Sequence, residues 1–106
     1  MPQETVSRLN KECLQALSDK LPVPQYSRNK LVPKILHIGV GGFHRSHMAA
    51  YTDELLNDYK SDWSIHGLGL TDKDTKIAEV LHSQDCLYTL MTCSNDSIKA
   101  RVVGSI

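Results

Sequence analysis

Residues 37–47 read HIGVGGFHRSH, and three glycines, Gly39, Gly41 and Gly42, open a run that closes on two histidines and an arginine. The spacing is that of a phosphate-binding turn. A pyrophosphate must approach the backbone closely there, which glycine allows because it has no Cβ. A helix starting at the turn then offers free N–H groups and the positive end of its dipole. Val40 sits between the first two glycines, and Phe43, His44 and Arg45 follow them. The generic G-x-G-x-x-G pattern puts its third glycine at position 44, where this chain has histidine. On spacing alone, two readings stay open: a nucleotide site, or a tight turn between a strand and a helix.

The neighbouring residues sharpen the question. His44 and His47 are three apart and could share a helix face. A metal site needs three or four ligands, and Asp53 is a weak third, so the sequence predicts no metal. Arg45 falls in the first helical turn, where positive charge opposes the dipole. It calls for an anionic neighbour, either a phosphate or a carboxylate. A nucleotide site of this kind also needs an acid after its second strand, to accept the ribose hydroxyls. TDKD at 71–74 offers Asp72 and Asp74, and either could instead cap a helix. Lys73 between them could accept a 2′-phosphate, so a dinucleotide with or without that group stands open.

These residues need elements to position them. Val6, Leu9, Cys13, Leu14 and Leu17 recur at helical spacing and predict a helix over 4–19, stopped by Pro22 and Pro24. Residues 21–33 read as a proline-punctuated connector. KILHIGV, 34–40, reads as a strand buried on both faces. A helix is predicted over 43–59, with Met48, Tyr51 and Leu55 on one face and Ala49, Ala50 and Leu56 close by. A second strand is expected over 63–70. A helix over 71–84 follows, with Thr71 and Asp74 as a capping-box start and Ile77, Val80 and Leu81 at core spacing. Strands over 86–93 and 98–106 flank SNDS and predict a hairpin. The fold class is α/β: an N-terminal helix, a β-α-β-α unit, and a terminal hairpin. Residues 1–33 form the lead-in, and residues 34–106 an incomplete dinucleotide-binding domain of Rossmann type.

The chain has 106 residues, enough for one small domain and too few for separate cofactor and substrate domains. Lysine and arginine number 12, aspartate and glutamate 12, which argues against nucleic acid as a partner. Cys13, Cys86 and Cys93 form no close pair and suit a reducing compartment. The first residues do not read as a secretory signal, and no apolar run approaches the ~20 residues of a membrane span. A soluble cytoplasmic protein is expected. The chain stops on an apolar strand, so it is expected to be the opening third or less of something larger.

HIGVGGFHRSHMAAYTDELL resembles the signature turn and helix of the mannitol dehydrogenase family, long-chain zinc-independent polyol dehydrogenases with a G-x-G-x-F-H-R-x-H pattern. The resemblance continues through DWSIHGLGL, SQDCLYTL and VVGSI and includes VPQYSRNKLVPKI, nearly the whole chain. It implies that Gly39, Val40, Gly41, Gly42, Phe43, His44 and Arg45 form the cofactor motif, with histidine at position 44 as the family's own variant. It makes Asp74 the first choice for the ribose acid and Asp72 the second. The implied activity is NAD-dependent oxidation of D-mannitol to D-fructose. The family's catalytic lysine, asparagine and histidine belong to a helical C-terminal domain, and no position here matches them. The resemblance thus implies an N-terminal portion, inactive alone, that needs the missing domain or self-associates through exposed strand edges. The alternative is a stand-alone nucleotide-binding or protein-interaction module without catalysis. A small independent enzyme using His44 as base is disfavoured, because no nucleophile or second acid accompanies that histidine.

Overall fold

A computed structural model describes residues 8–106. Residues 4–7 of the expected N-terminal helix lie outside the described residues. The remainder is shorter than its periodicity predicts. Helical backbone begins only with a 3-10 turn, Lys11–Cys13, and continues as α1, Leu14–Leu17. Asn10 sets that start. It is extended (φ −155°, ψ 175°), and its side chain accepts the Cys13 N–H at 3.1 Å. Leu9, Leu14, Leu17 and Leu21 then pack against a small core of Val23, Leu87 and Val102.

Strand β1, Val32–Ile38, pairs in parallel with β2, Trp63–Leu68, placing Ile35 beside Ile65 and Leu36 beside His66. The single helix expected between them is two: α2, Gly42–Ser46, and α3, Met48–Asp58. The break falls at His47 (φ −122°, ψ −84°). Local side chains compete for the backbone there: Ser46 Oγ donates to the Gly42 carbonyl at 2.8 Å, and His47 Nδ1 bonds the Phe43 carbonyl at 3.0 Å. Helix α4, Asp72–Ser83, follows β2, and the hairpin β3, Tyr88–Cys93, and β4, Ile98–Val103, completes the order. Its turn closes as SNDS predicts, with the Ser94 N–H on the Ser97 carbonyl at 2.8 Å. Beyond β4 the Ser105 carbonyl accepts the Ile65 N–H at 2.8 Å, so the last residues run alongside β2.

The main core joins Val40, Ala49, Ile65, Leu81, Tyr88 and Val103. Ala49 of α3 and Leu81 of α4 share it, so both helices cover the same face of the sheet. That arrangement overturns the expectation that β1 is buried on both faces. Leu36 and Ile38 are 65% and 61% exposed, because no described element covers their side. The buried face of α3 also differs from the prediction. Met48, Tyr51 and Leu55 face solvent, while Ala49, Ala50, Thr52, Asp53 and Leu56 are buried. The two alanines let the helix approach the core closely, and Asp53 is drawn inward by hydrogen bonds from distant segments. On α4, Leu81 is buried, Ile77 is half-buried and Val80 faces solvent. Among the described residues no helix is long and apolar enough to cross a membrane.

Candidate functional site

The turn after β1 lies at the end of the parallel pair. Gly39 donates its N–H to the Leu68 carbonyl at 2.6 Å, which ties the exit of β1 to the exit of β2. Gly39 has φ +94°, a left-handed conformation that favours glycine. Gly41 is different. Its backbone is extended (φ −78°, ψ −172°), which any residue can adopt, and a Cβ added at Gly41 or Gly42 would meet nothing within 4 Å. Neither backbone nor internal packing requires glycine at those two positions. Their bareness leaves an open face in front of α2, whose start no side chain caps.

Arg45 has no carboxylate ion-paired to it among the described residues. Its Nε donates instead to the Gly41 carbonyl at 3.3 Å, holding the guanidinium against the turn. Of the two anionic neighbours the sequence left open, the carboxylate is not among the described residues. Val40 points the other way, into the core, 7% exposed. Phe43 is fully on the surface, stacked on the His47 ring with centroids 4.3 Å apart.

His44 is buried, and neither ring nitrogen has a hydrogen-bond partner among the described residues. Its ring stacks on His37, centroids 3.7 Å apart and planes at 24°. Burial, and secondarily the charge His37 can carry, lower its pKa to about 4, so the ring is neutral at pH 7. His37 bonds the Gly39 carbonyl through Nδ1 at 2.8 Å. The expected sharing of a face by His44 and His47 does not occur, because the helix breaks between them. Asp53, the weak third ligand, is engaged elsewhere. It accepts from the Tyr26 hydroxyl, from Gly104 N–H at 3.0 Å and from Asn57 Nδ2 at 3.1 Å. No group of three potential metal-binding side chains occurs among the described residues.

At the other strand exit, Thr71 and Asp74 form the expected capping box. Asp74 Oδ2 accepts from Leu70 N–H and Thr71 N–H, both at 2.9 Å, and from Thr71 Oγ1 at 3.0 Å. These bonds hold its carboxyl below the usual carboxylate range. All three fall on one oxygen, which leaves Oδ1 for a further partner. Gly69 sets this position by close approach: a Cβ there would come 2.3 Å from Asp74 Cβ. Asp72 and Lys73 sit exposed in the same first turn. A cleft of about 270 Å³ between β2 and α4 is lined by Val40, Gly67, Gly69, Asp74 and Ile77. The sequence reading passed over His37 and Gly69. The signal for His37 was a lone polar residue in the apolar run ILHIGV, 35–40; Gly69 carried none, since its role depends on where Asp74 folds.

Residues 33–106 match the mannitol dehydrogenase Rossmann domain. The chain belongs to the mannitol dehydrogenase family. Its likeness to mannitol dehydrogenases extends over nearly its full length. It is 45% identical to mannitol 2-dehydrogenase of Phaeosphaeria nodorum, over 93% of this chain and 17% of that protein. It is 47% identical to the Emericella nidulans enzyme of that name, over 88% of this chain and 19% of the relative. The solved Pseudomonas fluorescens mannitol 2-dehydrogenase, a ternary complex with NAD and D-mannitol, superposes with a TM-score of 0.87 at 44% identity. That match covers 94% of this chain and 21% of that one. A D-sorbitol dehydrogenase in substrate-free form gives a TM-score of 0.78 at 35% identity, covering 92% of this chain and 21% of that one. The chain therefore spans about a fifth of the length of the mannitol dehydrogenases it matches. Its fold is a partial Rossmann-like α/β fold, as the element order predicts.

Proposed function

We propose that this chain is the cofactor-binding N-terminal part of a mannitol 2-dehydrogenase-type oxidoreductase and that it holds NAD on the 39–45 turn. The observation that carries the reading is the bare face at Gly41 and Gly42, where glycine serves neither backbone nor internal packing. A closely approaching ligand explains it. The residues present fit a dinucleotide. Gly41 and Gly42 leave room for the pyrophosphate, and the first N–H groups of α2, including those of Phe43 and His44, lack helical acceptors and are available to it. Arg45 adds positive charge with no carboxylate partner among the described residues. Val40 anchors the turn in the core. Asp74 offers Oδ1 to the adenosine ribose, with Asp72 as the second acid, and exposed Lys73 keeps NADP in play.

When bound, NAD accepts a hydride from the carbinol carbon of the polyol. This chain binds and orients the cofactor; the base for the hydroxyl proton is proposed to lie in the part of the longer relatives that it does not span. D-mannitol and D-fructose are the proposed substrates of the full-length protein, and the 106 residues alone are proposed to be inactive. A cytoplasmic location goes with this reading.

Calorimetric titration with NADH, and separately with NADPH, tests it. Saturable NADH binding that Gly41→Val removes and Asp74→Ala weakens is expected. A folded chain that releases no heat with either cofactor would overturn the reading.

A further inference from the structure

The His37–His44 pair is an arrangement with no stabilising account of its own. His44 is 4% exposed, and both its ring nitrogens lack partners among the described residues. Burying such a group without a hydrogen bond costs free energy. The pair lies where β1 gives way to the glycine turn. A carbonyl oxygen only accepts, so the 2.8 Å contact with Gly39 fixes His37 as a proton donor at Nδ1. Gly39 is the left-handed point of the turn and has no side chain to secure it. Its peptide groups are held on one side by the Leu68 carbonyl and on the other by His37. The His37 ring then carries the His44 ring flat against it, one helical turn into α2.

We propose that His37 is a positioning residue for the phosphate turn: its Nδ1–H fixes the Gly39 carbonyl and its ring seats His44, so the two imidazoles together set the shape in which the turn receives a dinucleotide. The proposal rests on the cofactor reading above and extends it to a residue outside the 39–45 motif. Burial keeps the His44 ring neutral at pH 7, and its stacking on His37 at 3.7 Å is a contact between ring faces. The other ionisable groups around the pair are engaged elsewhere. Arg45 Nε lies on the Gly41 carbonyl, His47 Nδ1 bonds the Phe43 carbonyl and Ser46 Oγ, and the Tyr88 hydroxyl donates to the Arg45 carbonyl at 2.5 Å.

The test uses the 106-residue chain with His37→Leu, which removes the donor, and His37→Asn, which retains an N–H near the Nδ1 position. NADH affinity is measured at pH 7, with melting temperature alongside. His37→Leu is expected to weaken NADH binding about fivefold at pH 7, the loss of one hydrogen bond. His37→Asn should recover most of it. Equal affinity for all three proteins, or loss in both variants that tracks melting temperature alone, overturns the proposal. A readout without cofactor separates this from failure of the NAD reading. Imidazole ¹⁵N spectra should show His37 protonated at Nδ1, and Gly39 and Gly41 amide shifts should move in His37→Leu and return in His37→Asn. A His37 protonated at Nε2 overturns the brace whether or not NADH binds.

Discussion

Asp53 Oδ1 accepts the Gly104 N–H at 3.0 Å, joining α3 to a residue 51 positions further along the chain. The same carboxylate takes the Tyr26 hydroxyl, and Asn57 on the next helical turn accepts the Gln25 N–H at 2.8 Å. Arg28 completes the join by donating to the Gly104 carbonyl at 3.0 Å and the Asp85 carbonyl at 2.7 Å. One buried acid thus locks the lead-in, α3 and the end of the hairpin together. Asp53→Ala leaves Gly104 N–H and the Tyr26 hydroxyl without acceptors. It should cost about 2–4 kcal/mol, whereas Asp53→Asn, which keeps an acceptor oxygen, should cost less. Urea unfolding of the two variants checks the order.

Acid should destabilise the fold through His44. Its folded pKa, about 4, lies below its ordinary 6.5, so between those values the unfolded chain binds more protons. Stability falls as pH drops below 6.5, and this contribution is fully lost by about pH 4. The size is roughly 3 kcal/mol over the window. His44→Phe should flatten that part of the stability–pH curve, measured by denaturant unfolding at half-unit intervals. An unchanged slope would mean the ring titrates normally in the folded chain.

The glycines of the turn should separate into two kinds. Gly39→Ala forces a side chain into φ +94° and should lower stability by about 1–2 kcal/mol. Gly41→Val enters open space and should leave the melting temperature within a degree or two while removing NADH binding. Paired melting and calorimetry distinguish them. Equal loss of stability in both variants would make the turn purely structural.

Lys73 occupies an exposed position one residue before Asp74. Lys73→Glu should shift preference from NADPH toward NADH by about fivefold, the scale of one exposed charge interaction. The ratio of the two dissociation constants reads this directly, and an unchanged ratio would assign Lys73 to the solvated surface.

The uncovered face of β1 should drive association. Leu36 and Ile38 are exposed there, and no strand pairs with the outer edge of β1 among the described residues. Sedimentation of the isolated chain should show concentration-dependent oligomers that Leu36→Lys with Ile38→Lys diminishes. A monomer at all concentrations would contradict this.

The sequence by itself determined what depends on neighbouring residues. The strand, glycine turn and helix order, the Thr71–Asp74 capping box and the SNDS hairpin turn are all local in chain and in physics. A left-handed backbone point, a cap or a reverse turn needs only a few consecutive residues of the right type. The tertiary structure decided everything that depends on distant partners. Periodicity offered two adjacent faces of α3, and the closer packing of Ala49 and Ala50, with Tyr26 and Gly104 reaching Asp53, selected the one without Met48, Tyr51 and Leu55. The same holds for His37 and His44, seven residues apart and on different elements, whose stacking follows from how α2 folds back over the end of β1. It holds as well for β1 itself, whose apolar residues prescribe burial on both faces while both packed helices lie on one. Local composition specifies which surfaces need cover; only the path of the chain decides which of them receive it.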